Sequence, residues 1–328
     1  MADRARRETD KRLREIEAEL KKQYKEAQAE ITSKWNAYME RIQPKLDELY
    51  KEYLHAPAGH KVEARKRYQK ALESYTLRNL KYREMVNDVT YRLAHTNEIA
   101  TAYINGQLPE LYAMNYNQPI PGLSKTGIDF TLVDESTVRR MILDGEIELP
   151  YKDFNRSKDQ VWNRRQINSK VLQGIIQGES VDDIAKRILP VVGNNRASAI
   201  RNARTMVTSA ENRGRFDRYE DLESRGAIMK KVWIATPDDR VRESHIDIDG
   251  EERDINEKFS NGCDFPGDGK GPADEVWNCR CSMRSDVIGV RKPNGKVEIF
   301  TRYERNTLHQ VEIDEERRRR ANESKTKN

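Results

Sequence analysis

Cysteine is scarce in this chain. There are three in 328 residues, and all of them, Cys263, Cys279 and Cys281, fall in one late segment. An odd number cannot pair fully within one chain, which argues against a disulfide framework and for thiols or metal ligation in a reducing compartment. Apolar residues are scarce as well, at 36% of the chain against 35% charged, with a mean hydropathy of −0.95. A single compact globule is normally richer, so the excess charge is expected on elongated elements with much surface and little interior. No apolar run reaches the length of a membrane span, and no apolar stretch follows Met1 as in a signal peptide. The expectation is a soluble, cytosolically made protein with no membrane partner. G-x-S-x-G, Walker A, G-x-G-x-x-G and H-E-x-x-H are also missing, so the common signatures of nucleophilic hydrolysis, nucleotide binding and zinc proteolysis are excluded.

What the sequence does have is periodicity. Leu13, Ile16, Leu20, Tyr24, Ala27, Ile31, Trp35, Tyr38, Ile42, Leu46, Leu49 and Tyr53 recur at spacings of three, four and four. That is an eleven-residue repeat, about 3.67 residues per turn, and it predicts one long helix with a nearly straight apolar stripe. Pro44 does not shift the phase, so a kink is expected there and not a stop. "LHAPAGH" at 54–60 breaks the helix. A second run follows, with Tyr68, Tyr75, Tyr82 and Val89 at sevens and Leu72, Val86, Leu93 and Ala100 beside them, until "NGQLP" at 105–109. Two helices of ~40 residues would form an antiparallel hairpin ~60 Å long. Its tyrosines read as packing residues with a wet end.

Residues 106–155 hold Pro109, Pro119 and Pro121, several glycines, and one strand-like stretch, "FTLV". They read as a connector. From Asp159 helical periodicity returns in three pieces: one with Val161, Ile167, Val171, Leu172 and Ile175 on a broad face, ended by Gly178; one capped by Ser180 and stopped at Pro190; and a longer one closing on Gly226. Short strands and turns follow, among them "KKVWIAT" and "KVEIFTRY", with glycine and proline clustered between 262 and 272. The expected fold class is therefore α+β: a long N-terminal helical hairpin, central helices, and a small C-terminal mixed domain with short strands. The expected boundaries are 1–105 for the hairpin, 106–158 for the connector, 159–312 for the folded C-terminal domain, and 313–328 for a charged, disordered tail.

Four donors suited to zinc lie in the mixed segment: His245, Cys263, Cys279 and Cys281. Zinc takes four such ligands in a tetrahedron, but the spacing His-x17-Cys-x15-Cys-x-Cys matches no common finger. A buried structural cluster in a compact turn is the competing reading. Asp249 is the substitute ligand if Cys263 points away. "PDDR" and "HIDIDG" also group Asp238, Asp239, His245, Asp247 and Asp249, from which a hydrolytic metal centre could be built; the same residues read equally as a polar turn entering a short helix. The net charge of +5, from 60 basic and 55 acidic side chains, argues only weakly for a non-specific DNA-binding role. "RKR" at 65–67 and "RRRR" at 317–320 have acidic neighbours and read as solvated faces.

Several of these elements occur together in a recognisable order. Ala203-Arg204-Thr205 on a helix is followed by Trp233, Asp239, Arg240, Arg242, His245, Asp249 and Gly250, then by Pro266-Gly267-Asp268, then by Asn278-Cys279-Arg280-Cys281. This arrangement, over roughly residues 130–285, resembles the phage head morphogenesis family of MuF type. Met206 stands where the pattern has a glutamate, and Cys263 is outside the pattern. The resemblance implies a minor capsid protein inside the virion, bound near the portal, that assists assembly or accompanies DNA ejection. It implies contact with the portal protein, the scaffolding or major capsid protein and packaged DNA, self-association through helices, and residence in the host cytoplasm during assembly. MuF-type domains also occur fused to toxin modules, so the resemblance implies a docking module and carries over no catalytic residue. A metal-dependent enzyme built on His245 and Asp249 is the alternative.

Overall fold

The structure is a computed structural model that describes residues 4–75, 78–150, 155–177, 179 and 181–301. The expected tail at 313–328, the helix stop at Gly178 and the cap at Ser180 lie outside the described residues. The helices are α1 (Arg4–His55), α2 (Lys61–Tyr75), α3 (Leu80–Tyr116), α4 (Glu135–Leu143), α5 (Ser157–Gln177), α6 (Val181–Ser224), α7 (Glu243–Asp247) and α8 (Ala273–Val276). The strands are β1 (Ala227–Ile234), β2 (Glu252–Asp254), β3 (Ser282–Arg291) and β4 (Val297–Ile299). The chain is α+β, as the sequence predicts.

Two compact units are present. One comprises Met1–Arg14, Asn105–Tyr151 and Arg201–Asn328, the other Glu15–Ile104 and Lys152–Ile200. Neither is continuous in sequence, and the changes of unit fall inside α1, α3 and α6.

The helical unit is built on the two stripes. From Ile16 to Leu46 every stripe position of α1 is buried, and so are Tyr68, Leu72, Tyr82, Val86, Val89, Leu93 and Ala100 on the returning helices. The helices run antiparallel. Tyr24 Oη donates to Asn97 Oδ1 (2.5 Å), Arg92 pairs with Glu30, Lys34 with Asp88 (3.5 Å), and Arg67 with Glu52 (3.0 Å). The second arm is α2 plus α3, not one helix. Inside the bundle, Asn97 Nδ2 donates to Asn195 Oδ1 and Asn195 Nδ2 to Asn163 Oδ1, both at 2.9 Å. These buried amides satisfy one another and join three helices.

Three proline and strand expectations are corrected. α3 runs through Gly106 and Pro109 to Tyr116, and α6 runs through Pro190 as one helix of 44 residues. A proline inside a helix removes one hydrogen bond, but Leu108, Leu111 and Tyr112 are buried beside Pro109, and Ile188, Val191 and Val192 beside Pro190. Burial of both flanks outweighs the lost bond. "FTLV" forms no strand; Val133 instead exchanges backbone bonds with the side chain of Asn117 (2.9 and 2.7 Å).

The other unit holds an antiparallel sheet in the order β2-β1-β3-β4. Along β1 the alternating positions Ala227, Met229, Lys231 and Trp233 are all buried. Ala227 and Met229 pack with Phe216, Tyr219 and Leu222 of α6 and with Met283, Val287 and Val290 of β3. Trp233 belongs to a second core with Phe259, Val276 and the three cysteines. Lys231 lies between the two cores. Its ammonium donates to the carbonyls of Ile255 and Asp264 (both 2.9 Å) and sits over the rings of Phe216 and Phe259.

Candidate metal centre

Helix α6 positions the Cys-x-Cys segment by reading its backbone. Thr205 Oγ1 accepts from Asn278 N (2.7 Å), and Thr208 Oγ1 donates to Cys279 O (2.9 Å). Asn212 Nδ2 donates to Cys281 O (3.1 Å) while its Oδ1 accepts from Met283 N (3.0 Å), and Arg215 Nη1 donates to Met283 O (2.9 Å). Residues 205, 208, 212 and 215 share one helical face, so the segment 278–283 lies along α6 as an extra extended element. Asn278 turns into this path with φ 62, the left-handed conformation that asparagine tolerates.

The chain enters from the other side through α7. Asp249 Oδ1 accepts from Ala235 N (2.8 Å) and Gly250 N donates to Trp233 O (2.9 Å), with Gly250 at φ 80. This turn returns the chain to β1 and places His245 beside the indole of Trp233, ring centroids 5.1 Å apart. His245 Nδ1 then lies 3.3 Å from Cys281 Sγ and 3.8 Å from Cys279 Sγ, and all three side chains are buried. Their ligand atoms fall within 4.8 Å of one another. On the far side of the ring His245 Nε2 is 2.8 Å from Glu275 Oε2. Hydrogen bonding from Cys279, and then from His245, holds Cys281 below the ordinary thiol value, while the bond to Cys281 and burial push Cys279 up.

These three residues fit a zinc ion. Tetrahedral zinc with thiolate at ~2.3 Å and imidazole at ~2.0–2.1 Å separates sulfur from nitrogen by ~3.6 Å, and the two observed separations bracket that value. Cys263 lies outside this group. It is buried under Gly271, where an added Cβ would come 2.5 Å from its sulfur, and burial pushes its thiol up to about 12. Asp249 is committed to the turn. Asp239 and Asp247 are exposed. The sequence-derived set of four thus comes together as three, and Glu275, which spacing did not single out, stands behind the histidine.

The remaining motif residues hold the frame. Asp238, not Asp239, takes the bidentate pair with Arg280 (2.5 and 2.8 Å), and the guanidinium holds its carboxyl down to about 2. Arg242 Nη2 donates to Trp277 O. Asp268 closes its own turn by accepting from Asp264 N (3.0 Å) and Lys270 N (2.9 Å). Gly267, at φ 80, lets that turn approach α6, where a Cβ would stand 3.1 Å from the backbone of Ser209.

A family model described as Phage Mu protein F like protein matches residues 165–284. The NAD(+)--arginine ADP-ribosyltransferase EFV of Enterococcus faecalis (strain ATCC 700802 / V583) is 31% identical over 139 residues, 40% of this chain and 28% of that protein. The uncharacterized protein YqbB of Bacillus subtilis (strain 168) is 28% identical over 162 residues, 45% of this chain and 52% of its own length. Minor head protein GP7 of Bacillus phage SPP1 is 30% identical over 118 residues, 34% of this chain and 37% of that protein. The matches thus span from about a quarter to about half of these relatives. No solved structure matches. Among the described residues no helix is long and apolar enough to cross a membrane. The matching segment holds Thr205, His245, Cys279 and Cys281 in the geometry above, so this part of the chain resembles the MuF-type phage head morphogenesis family.

Proposed function

We propose that the chain is a minor head protein that acts as a non-catalytic assembly component inside the capsid, bound near the portal, with the segment 159–312 as its MuF-type module. The observation that supports a structural role is how the motif residues are spent. Thr205, Asp238, Arg242, Asp249, Asp268 and Arg280 each hold backbone or another motif residue, and His245, Cys279 and Cys281 are enclosed. A buried thiol and imidazole suit a structural zinc far better than a substrate. Zinc held by His245, Cys279 and Cys281 would tie α7 to the start of β3 and so close the second core. The apolar stripes of α1 and α3 build the helical unit that would present a docking face to portal, scaffold or capsid protein.

Two measurements test this reading. Purified chain should co-sediment with portal rings or procapsids of its phage, and particles assembled without it should be defective; normal particles would end the assembly role. Elemental analysis should find about one zinc per chain, and a ratio far below one removes the metal.

A further inference from the structure

We propose that Glu275 is the positioning residue of the metal centre: its carboxylate, 2.8 Å from His245 Nε2, takes that nitrogen's proton once the ring turns onto the ion, and so leaves the Nδ1 lone pair facing Cys279 and Cys281. The inference rests on the zinc reading above. A neutral imidazole carries one proton and one lone pair, and only the lone pair can ligate. Which nitrogen carries the proton is decided by what the other face of the ring meets. Here the two faces differ in kind. Nδ1 meets the two sulfurs at 3.3 and 3.8 Å, while Nε2 lies 2.8 Å from a carboxylate oxygen at an angle that makes no hydrogen bond, so this buried nitrogen has no hydrogen-bond partner here and a small turn of the ring would give it one.

The carboxylate is itself fixed. Ser244 Oγ donates to Glu275 Oε1 (3.1 Å) and Oε2 (3.0 Å), and Asn261 Nδ2 reaches Oε2 at 3.5 Å. Ser244 precedes His245 on α7, Glu275 sits on α8 and Asn261 on the intervening loop, so three separate stretches converge on one acceptor. His245 is only 1% exposed, which leaves its Nε2 proton no water to turn to. Without the acceptor the buried N–H would be stranded, or the proton would move to Nδ1, where it would point at the thiols and block ligation. Glu275 cannot serve as a ligand of the same ion, because it lies across the ring from the sulfurs. A carboxylate in this position also makes the imidazole a stronger ligand.

The test uses the full chain, Zn2+ alone as the probe, and a chromophoric chelator as competitor. Glu275→Ala is expected to weaken zinc binding about 10–100-fold. Glu275→Gln, whose amide oxygen can still accept the proton, should stay within about tenfold of the parent. Nitrogen-15 spectra of the zinc-loaded parent should show His245 protonated at Nε2 and metal-bound at Nδ1, a signature that a purely structural role would not produce. Metal bound through Nε2, or equal affinity in the parent and Glu275→Ala, overturns the proposal while leaving the metal centre standing. A parent chain that takes up no zinc removes both. If Glu275→Ala does not fold, the tautomer of the parent and the affinity of Glu275→Gln still decide.

Discussion

Asn278 carries more of the site than its exposure suggests. It is the one non-glycine residue with positive φ among the described residues, and its N–H is spent on Thr205. A β-branched side chain there would meet the left-handed penalty of about 1–2 kcal/mol, whereas glycine would not. Asn278→Gly should therefore be close to neutral and Asn278→Val destabilising by about that amount in urea titrations. Lys231 makes a different kind of prediction. Burial drives its ammonium down to about 8, against the attraction of Asp264 and Glu220. Its folded value lies below the unfolded one, so between pH 8 and about 10 the unfolded chain holds the extra proton and stability rises with pH. Below pH 8 both states are protonated and the slope vanishes. Urea midpoints measured from pH 7.5 to 9.5 should climb for the parent and stay flatter for Lys231→Met, which cannot titrate; parallel curves would show that this lysine is not perturbed.

At the scale of elements, the decisive contact is a helix face reading an extended backbone. Asn212 serves both Cys281 O and Met283 N, and all three are buried. Asn212→Ala strands a buried carbonyl and a buried N–H, which costs about 2–4 kcal/mol at 1–3 per group less what relaxation recovers. Thr208→Ala strands one carbonyl, and about 1 kcal/mol is expected. Denaturation monitored through Trp233 would measure both, and equal losses would mean that the segment is held by packing alone. Very little of this was legible beforehand. The stripes of α1 and α3 could be read because burial repeats with the helical period, and Pro44 inside α1 does not shift its phase. Pro109 and Pro190 misled because they break helices locally, and only their buried flanks decide otherwise. Asn212 and Thr208 have no periodic or compositional signature; they matter through the register between α6 and a segment about 70 residues away. His245, Cys279 and Cys281 were legible by ligand type, and Cys263 was grouped with them for the same reason, although its sulfur packs elsewhere. Glu275 is one of 55 acidic residues, and nothing but position separates it from the rest.

At the scale of the whole chain, the segmentation by sequence and the compact units do not run in step, since the unit that holds the sheet includes the first fourteen residues. Arg6 on α1 shows why. Its Nη1 reaches Glu211 Oε2 and its Nη2 donates to Arg280 O, both at 2.6 Å, and Glu211 is fully buried between Arg6, Arg215 and Ser282. Burial draws the Arg6 value down, but the charge of Glu211 and then Asp10 outweigh it and hold the guanidinium above its ordinary value. The carbonyl it binds belongs to the residue between the two candidate metal thiolates. Arg6→Ala would leave Glu211 still paired with Arg215, so the loss is expected at the low end of a broken buried pair, about 3 kcal/mol. Arg6→Lys keeps the charge without the fork that reaches both acceptors, and should fall between. Hydrogen exchange gives the reading element by element: amides of 278–283 should open faster in Arg6→Ala, while those of 86–100, in the other unit, keep the parent rate. Unchanged protection at 278–283 would mean that the first turns of α1 are dispensable to the MuF-type module. Equal acceleration at both places would mean that the two units unfold as one.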